Sequence, residues 1–144
     1  MMLYLDTSLL VAAVANEPAT ERVQLWLSEQ NPEDLAISDW VVTEFSSALS
    51  IKVRTGALTV QHRAAALTLF NRLVAESFQT LPVQGNHFRI AARFADDHGQ
   101  GLRAGDALHL AIAGERGATL CTLDRRLAEA GLAMGIATHM LATI

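Results

Sequence analysis

Short apolar segments alternate with longer segments of helical periodicity, and this alternation limits the fold more than any other feature of the chain. We predict five strands, over Met2–Leu5, Leu35–Ser38, Gln79–Val83, Ala118–Thr122 and Ile136–His139. Strands that alternate with helices predict an α/β sandwich built on a mostly parallel sheet. In such a sheet, ligands bind beyond the carboxyl ends of the strands.

The segments between the strands have helical character. Apolar residues recur at three- and four-residue steps, and we predict helices over 39–55, 60–78, Asn86–His98 and Ala104–Glu115. Thr7 and Ser8 are placed to start a further helix, and another is expected after Asp124. Gly117 and Gly131 are placed to end helices.

Composition limits the class of protein. At 144 residues the chain is expected to form one domain, 1–144, with a core that needs no disulfide. Cys121 is the only cysteine, and the longest apolar run near the start, Leu9–Ala15, is too short to cross a bilayer. We therefore expect a soluble, cytoplasmic protein.

The net charge and the apolar content of the chain indicate which classes of partner it can bind. The net charge of −4 argues against broad, charge-driven binding of nucleic acid, which uses a basic face. All basic side chains except Lys52 are arginines, which suit phosphate contacts, although a GC-rich genome produces the same bias. An apolar content of 51% predicts a hydrophobic surface for a protein partner.

Two aspartates follow predicted strands. Asp6 ends the first strand, and Asp124 follows the fourth strand by one intervening residue beyond Thr122. Either aspartate alone is best explained as a helix N-cap. Because both belong to the same edge of one parallel sheet, together they favour a shared site.

Two further acids lie in apolar helical segments. Asp106 has few polar neighbours, so it needs a partner; an ion pair with Arg103 is one alternative. Glu44 lies on the apolar stripe of its segment, between Val41 and Ala48, where a partly exposed edge residue is the simpler interpretation. Four converging carboxylates, however, would repel one another unless a cation neutralised them. Hard oxygen ligands favour Mg²⁺ or Mn²⁺, so we predict that Asp6, Glu44, Asp106 and Asp124 bind metal.

With these acids placed, the chain resembles the PIN-domain ribonucleases, specifically the VapC-type toxins of bacterial toxin–antitoxin pairs. The resemblance covers nearly the whole length. It rests on the segments "YLDTSLL", "ISDWVVTEFSSAL", "LRAGDALHLAIA" and "TLCTLDRRLAEA". Asp124 is the least specific of the four matches, and Asp97 is an alternative contributor.

The resemblance implies a PIN-like three-layer α/β/α sandwich and a Mg²⁺-dependent endoribonuclease. Asp6, Glu44, Asp106 and Asp124 would be the catalytic, metal-binding residues. Arg103 and Arg125 are candidates for contacts with the phosphate. The implied partners are the RNA substrate, a cognate antitoxin protein and a second copy of the chain, without a membrane.

Other interpretations remain open. A catalytically silent PIN scaffold would bind RNA or protein only. A phosphoaspartate phosphatase or receiver domain would need a lysine near the site, and Lys52 is badly placed for that role. His109 follows Asp106 by three residues but is expected to be a hydrogen-bonded core histidine, and Cys121 an unreactive core thiol.

Overall fold

A computed structural model describes residues 1–141, and its strands and helices alternate along the chain. The strands are β1 Leu3–Leu5, β2 Leu35–Ser38, β3 Gln79–Leu81, β4 Thr119–Thr122 and β5 Thr138–Met140. The helices are α1 Thr7–Val14, α2 Thr20–Ser28, α3 Asp39–Arg54, α4 Val60–Glu76, α5 Gly85–Asp96, α6 Ala104–Glu115 and α7 Arg125–Ala133. Single 3₁₀ turns span Pro32–Asp34 and His98–Gln100.

The five strands form one sheet in the order β3-β2-β1-β4-β5, and every pairing between them is parallel. Strand β1 is central, and Tyr4 lies opposite Ala36 on one side and Leu120 on the other. The carboxyl ends of β1 and β4 are therefore neighbours. This register brings Asp6 and Asp124 to the same edge of the sheet, as the sequence predicts.

Helices cover the sheet, and its central strands are therefore buried on both faces, as in parallel α/β proteins generally. Helices α1 to α4 pack on one another, and α5 packs on α6. Phe45 of α3 stacks on Phe70 of α4 with ring centroids 3.8 Å apart, and both side chains are fully buried. Each such side chain contributes about 1.5–3 kcal/mol by leaving water. The predicted α/β/α sandwich is confirmed.

Element boundaries differ from the prediction in several places. Strand β5 begins at Thr138 rather than Ile136, and α5 ends at Asp96 because a 3₁₀ turn follows. Helix α2 was missed, although Val23, Trp26 and Leu27 recur at helical spacing and pack on the core over its nine residues. None of the helices within residues 1–141 has the length and apolar character needed to cross a bilayer.

The predicted role of Gly131 is wrong. Gly117 follows α6 with a φ of +64°, as expected of a helix stop, but Gly131 lies inside α7, which ends at Ala133. A Cβ atom on Gly131 would overlap the Thr138 methyl group and lie 3.0 Å from Leu110. Glycine at this position therefore permits close packing of α7 on the sheet and on α6.

Candidate functional site

Four carboxylates from four separate segments line one cavity of about 300 Å³ beyond the carboxyl ends of the strands. They are the four predicted residues, Asp6, Glu44, Asp106 and Asp124. The remaining lining consists of Thr7, Ser8, Ser47, Ala48, Ile51 and His109. The fold thus brings together the four acids that the sequence predicts to bind metal, and Asp97 is not among the lining residues.

Asp6 is fixed by its neighbours on both carboxylate oxygens. Its Oδ1 accepts hydrogen bonds from Ser8 Oγ (2.7 Å) and from the backbone N–H of Leu9 (3.2 Å), which makes it the N-cap of α1. Its Oδ2 accepts from Thr122 Oγ1 at 2.5 Å. Burial raises the pKa of Asp6 above its ordinary value, and the hydrogen bonds oppose this shift only in part. Asp6 is both a helix cap and a lining residue of the cavity.

Asp124 also combines these two positions. Its Oδ1 accepts from the backbone N–H groups of Arg126 (2.9 Å) and Leu127 (3.3 Å) at the start of α7. Its own N–H donates to Thr122 Oγ1 at 2.9 Å. Thr122 therefore contacts both strand-end aspartates and fixes their separation.

Glu44 reaches the cavity from the second turn of α3. Its Oε1 accepts from Thr7 Oγ1 at 2.7 Å and from His109 Nε2 at 2.5 Å. Partial burial raises the pKa of Glu44, but the hydrogen bond and the electrostatic interaction with His109, together with the Thr7 hydroxyl, outweigh it, so the net pKa is lowered. Glu44 is thus held ionised at the rim of the cavity.

Asp106 lies in the first turn of α6. Within residues 1–141 it makes no ion pair with Arg103, which removes the structural alternative, and its carboxylate accepts no hydrogen bond. Partial burial raises the pKa of Asp106; His109 opposes the shift, whereas repulsion from Asp124, Glu44 and Asp6 adds to it. The four carboxylates are therefore close enough to affect one another's ionisation.

No lysine or arginine is among the residues that line this cavity in the described part of the chain, and His109 is the one basic side chain there. Lys52 forms an ion pair with Glu17 at 2.7 Å, so it does not serve the phosphoaspartate chemistry of the rival interpretation. Neither Arg103 nor Arg125 lines the cavity, and Asp97 does not line it either. The excess negative charge at the site is left to an external cation.

The donor set fits a hard divalent ion. Within residues 1–141 no three acidic, histidine or cysteine side chains converge tightly enough to form a preformed metal cluster. Mg²⁺ does not require one, because it keeps several waters and typically takes one or two carboxylates together with substrate phosphate. The carboxylates of Asp6, Glu44, Asp106 and Asp124 all present oxygen to one cavity, which matches this mode of binding.

His109 is buried and hydrogen-bonded, as predicted, yet it also lines the cavity. Its Nδ1 lies 2.7 Å from the Tyr4 hydroxyl, which lies 2.7 Å from Ser38 Oγ. The sequence analysis missed Tyr4 and Ser38. A tyrosine in a fully buried strand needs a partner for its hydroxyl, and this requirement was the available signal.

Cys121 is buried in β4. Burial raises the pKa of its thiol to about 12, with a smaller contribution from Asp6. The thiol is protonated at neutral pH, so the prediction of an unreactive core cysteine agrees with the structure.

The chain is similar to known proteins in sequence and in fold. The family model described as PIN domain matches residues 3–132. FitAcB from Neisseria gonorrhoeae is similar over 95% of this chain and 96% of its own, with 25% identity and a TM-score of 0.71. No curated protein matches the chain.

Two mycobacterial structures share the fold at lower identity. The Mycobacterium tuberculosis toxin VapC20, described as cleaving the sarcin–ricin loop, is 18% identical with a TM-score of 0.71, over 90% of this chain and 95% of its own. VapBC-5 from the same organism, a member of a toxin–antitoxin family, is 21% identical with a TM-score of 0.60, over 98% of each chain.

Proposed function

The chain belongs to the PIN domain family, and on that premise we propose that it is a divalent-metal-dependent endoribonuclease, the toxin of a toxin–antitoxin pair. Residues 1–144 would form a single nuclease domain that hydrolyses RNA phosphodiester bonds with water. One observation carries this proposal: Asp6, Glu44, Asp106 and Asp124 line one cavity that has no lysine or arginine in its lining in the described part of the chain.

The four carboxylates would bind Mg²⁺, or Mn²⁺ in its place. They differ in the hydrogen bonds that hold them. Ser8, Leu9 and Thr122 fix Asp6, while Thr7 and His109 fix Glu44 through Oε1. In contrast, the carboxylate of Asp106 accepts no hydrogen bond within residues 1–141. Its oxygens are therefore available to an incoming ligand.

Phosphodiester hydrolysis needs a polarised phosphate and an acidified water. When bound, the divalent ion would supply both effects as a Lewis acid. The chain's own residues would hold the ligands in place and keep the site negatively charged, so that RNA phosphate enters only with cations. This requirement accounts for an acidic chain, of net charge −4, acting on a polyanion.

Protein partners are part of the proposal. The VapBC-5 likeness supports a cognate antitoxin, and exposed apolar side chains support contact with protein. Phe88 is 57% exposed beside a cavity of about 260 Å³ whose lining is almost wholly apolar, including Trp40 and Leu108. We propose a homodimer that binds a small antitoxin, and light scattering with the purified chain tests the dimer.

The test of activity is incubation of the purified chain with total RNA, in chelator and in millimolar Mg²⁺, followed by mapping of the new RNA ends. The proposal predicts discrete cuts that require the added metal. Retention of RNA without cleavage, in both conditions, would instead support a silent PIN scaffold that acts only by binding. Cleavage of equal extent in chelator would contradict metal dependence.

A further inference from the structure

A continuous hydrogen-bond chain runs from the central strand to the candidate metal site. It links Ser38 Oγ to the Tyr4 hydroxyl (2.7 Å), the Tyr4 hydroxyl to His109 Nδ1 (2.7 Å), and His109 Nε2 to Glu44 Oε1 (2.5 Å). Tyr4, Ser38 and His109 are each at most 2% exposed. Because burial excludes water from these groups, each must find its partner within the protein.

The direction of the donors follows from the last acceptor. An ionised Glu44 only accepts, so His109 Nε2 must carry the proton. In a neutral imidazole Nδ1 then accepts, and the Tyr4 hydroxyl donates to it. Burial raises the pKa of Tyr4 far above its ordinary value, so this hydroxyl keeps its proton, and Ser38 in turn donates to the Tyr4 oxygen. In this arrangement each of the four side chains has a hydrogen-bond partner.

This arrangement also distinguishes the two oxygens of Glu44, because only one of them accepts hydrogen bonds. Within residues 1–141 both hydrogen bonds to the carboxylate, from His109 and Thr7, fall on Oε1. The other oxygen, Oε2, passes close to Gly105, where an added Cβ would lie only 2.8 Å from it. The glycine provides the space that lets Oε2 take this position.

The chain also anchors the helix that carries Glu44. Ser38 is the N-cap of α3, and its Oγ accepts from the backbone N–H of Val41 at 3.3 Å. Tyr4 thus connects through Ser38 to the start of α3 and through His109 to the carboxylate two turns into it. Both ends of the segment from Ser38 to Glu44 are tied to the central strand.

We propose that Tyr4 and His109 are positioning residues that hold Glu44 with one oxygen directed toward a bound divalent ion. This inference rests on the proposed function, because it assigns Glu44 as a metal ligand. It goes beyond the four acids by naming the residues that orient one of them. Groups that orient a metal ligand in this way typically change metal affinity by about 10–100-fold when they are removed.

The chain contains a matched control. His87 is 3% exposed and contacts Glu115 through Nε2 at 3.0 Å, and neither residue lines the cavity of the four acids. Replacement of His87 removes a buried histidine–glutamate contact of the same kind. Any effect on metal binding that arises merely from loss of a buried histidine should therefore appear in both variants.

The experiment measures Mn²⁺ binding by electron paramagnetic resonance for wild type, Tyr4→Phe, His109→Ala, His109→Gln and His87→Ala, with melts in chelator to verify folding. We expect His109→Ala to weaken Mn²⁺ binding at least tenfold and Tyr4→Phe about threefold. Glutamine at position 109 should restore part of the loss, because its amide can donate to Glu44. His87→Ala should bind Mn²⁺ as wild type does.

A second readout needs no metal. At pH 8 in chelator, ¹⁵N NMR should show the His109 proton on Nε2, whereas a proton on Nδ1 would overturn the proposed arrangement. Wild-type Mn²⁺ affinity in both folded Tyr4→Phe and folded His109→Ala would also overturn the positioning role. If His109→Ala fails to fold, Tyr4→Phe alone decides. Absence of Mn²⁺ binding by wild type would overturn the proposed function itself, together with this inference.

Discussion

Two buried histidines in this molecule each contact a partly exposed glutamate, at 2.5 Å and 3.0 Å, but the two pairs have different surroundings. His109 contacts Glu44, and His87 contacts Glu115, in each case through Nε2 and Oε1. The histidines are 2% and 3% exposed, and the glutamate side chains 28% and 34%. Burial alone therefore does not distinguish the two pairs.

The difference lies at the second nitrogen of each ring. His87 Nδ1 accepts the backbone N–H of Gln84 at 2.9 Å, so this histidine caps the start of α5 and ties it to the end of α6. His109 Nδ1 instead contacts Tyr4 on the central strand, and its glutamate lines the acidic cavity.

The pKa of each glutamate is lowered by its histidine, so the shift alone does not separate the pairs. For Glu115 the hydrogen bond from His87 is the largest cause, whereas for Glu44 the contributions of His109 must first overcome burial. A paired, perturbed carboxylate is therefore not by itself a functional residue. The two regions are distinguished by the three further acids that lie beside Glu44 and that Glu115 lacks.

The largest contrast between the regions should appear in catalysis. We expect Asp6→Asn and Asp106→Asn to reduce metal-dependent RNA cleavage by more than about 100-fold. This loss is larger than the loss of about 10–100-fold that is typical when a group that only orients a metal ligand is removed. Glu115→Gln should cleave at the wild-type rate, since it removes a carboxylate that does not line the cavity. Initial rates on a mapped RNA substrate measure both effects. Wild-type activity in either folded aspartate variant would refute the site assignment.

A smaller contrast is expected between the two histidines. His109→Ala should lower the free energy of unfolding by about 2 kcal/mol, because it leaves the buried Tyr4 hydroxyl without its acceptor. His87→Ala should lower it less, because Gln84 and Glu115 are exposed and water can replace the lost contacts. Only His109→Ala should also lose about 10–100-fold in cleavage rate. Denaturant unfolding and single-turnover cleavage on the same preparations give the two numbers. Equal losses of cleavage rate would mean that the two pairs do not differ in function.

Two glycines beside the pairs extend the comparison. A Cβ at Gly105 would lie 2.8 Å from Glu44 Oε2, whereas a Cβ at Gly85 would meet only the mobile end of Arg89 at 3.4 Å. We expect Gly105→Ala to displace the Glu44 carboxylate and reduce the cleavage rate about tenfold. Gly85→Ala, the control at the start of α5, should leave the rate unchanged. An active Gly105→Ala protein would show that the position of Oε2 is not critical.

The pH dependence of stability should have opposite signs in the two regions. The raised pKa of Asp106 penalises the folded state once the carboxyl ionises, so in chelator Asp106→Asn should be more stable than wild type at pH 8. This advantage should vanish below about pH 4, where both folded and unfolded wild type hold the proton.

Glu115 has a lowered pKa, so its ionised form stabilises the folded state above its ordinary pKa. Glu115→Gln should therefore be less stable than wild type at pH 8, and the difference should shrink as pH falls through the lowered pKa. Melts of both variants and wild type from pH 3 to pH 8 test the signs. A loss of stability in Asp106→Asn at pH 8 would mean that its charge is compensated in the folded state.

Much of the fold and the four acids followed from the sequence. The strand-end positions of Asp6 and Asp124 depend only on where apolar segments stop, and a parallel sheet brings such positions together. Asp106 was conspicuous because its helix is otherwise almost wholly apolar. These features depend on residues that are close together along the chain, so they can be recognised in the sequence.

The sequence did not reveal what depends on contacts between distant segments. Tyr4 and His109 are separated by 105 positions, and no local pattern shows that their side chains meet. The packing role of Gly131 was missed for the same reason, because it depends on Thr138 and Leu110. Helix α2 was missed for another reason: its apolar stripe of Val23, Trp26 and Leu27 spans only a short segment, and just one of the three side chains is fully buried.

The central claim, that four acids form a metal site, is tested most directly by thermal melts in chelator and in millimolar Mg²⁺. Wild type should melt about 5–10 °C higher at a Mg²⁺ concentration roughly 100-fold above its dissociation constant. Asp97→Asn, an exposed acid outside the cavity, should show the same increase. Asp106→Asn should show much less. An equal increase in all three proteins would contradict a ligand role for Asp106, and no increase in wild type would contradict the metal site.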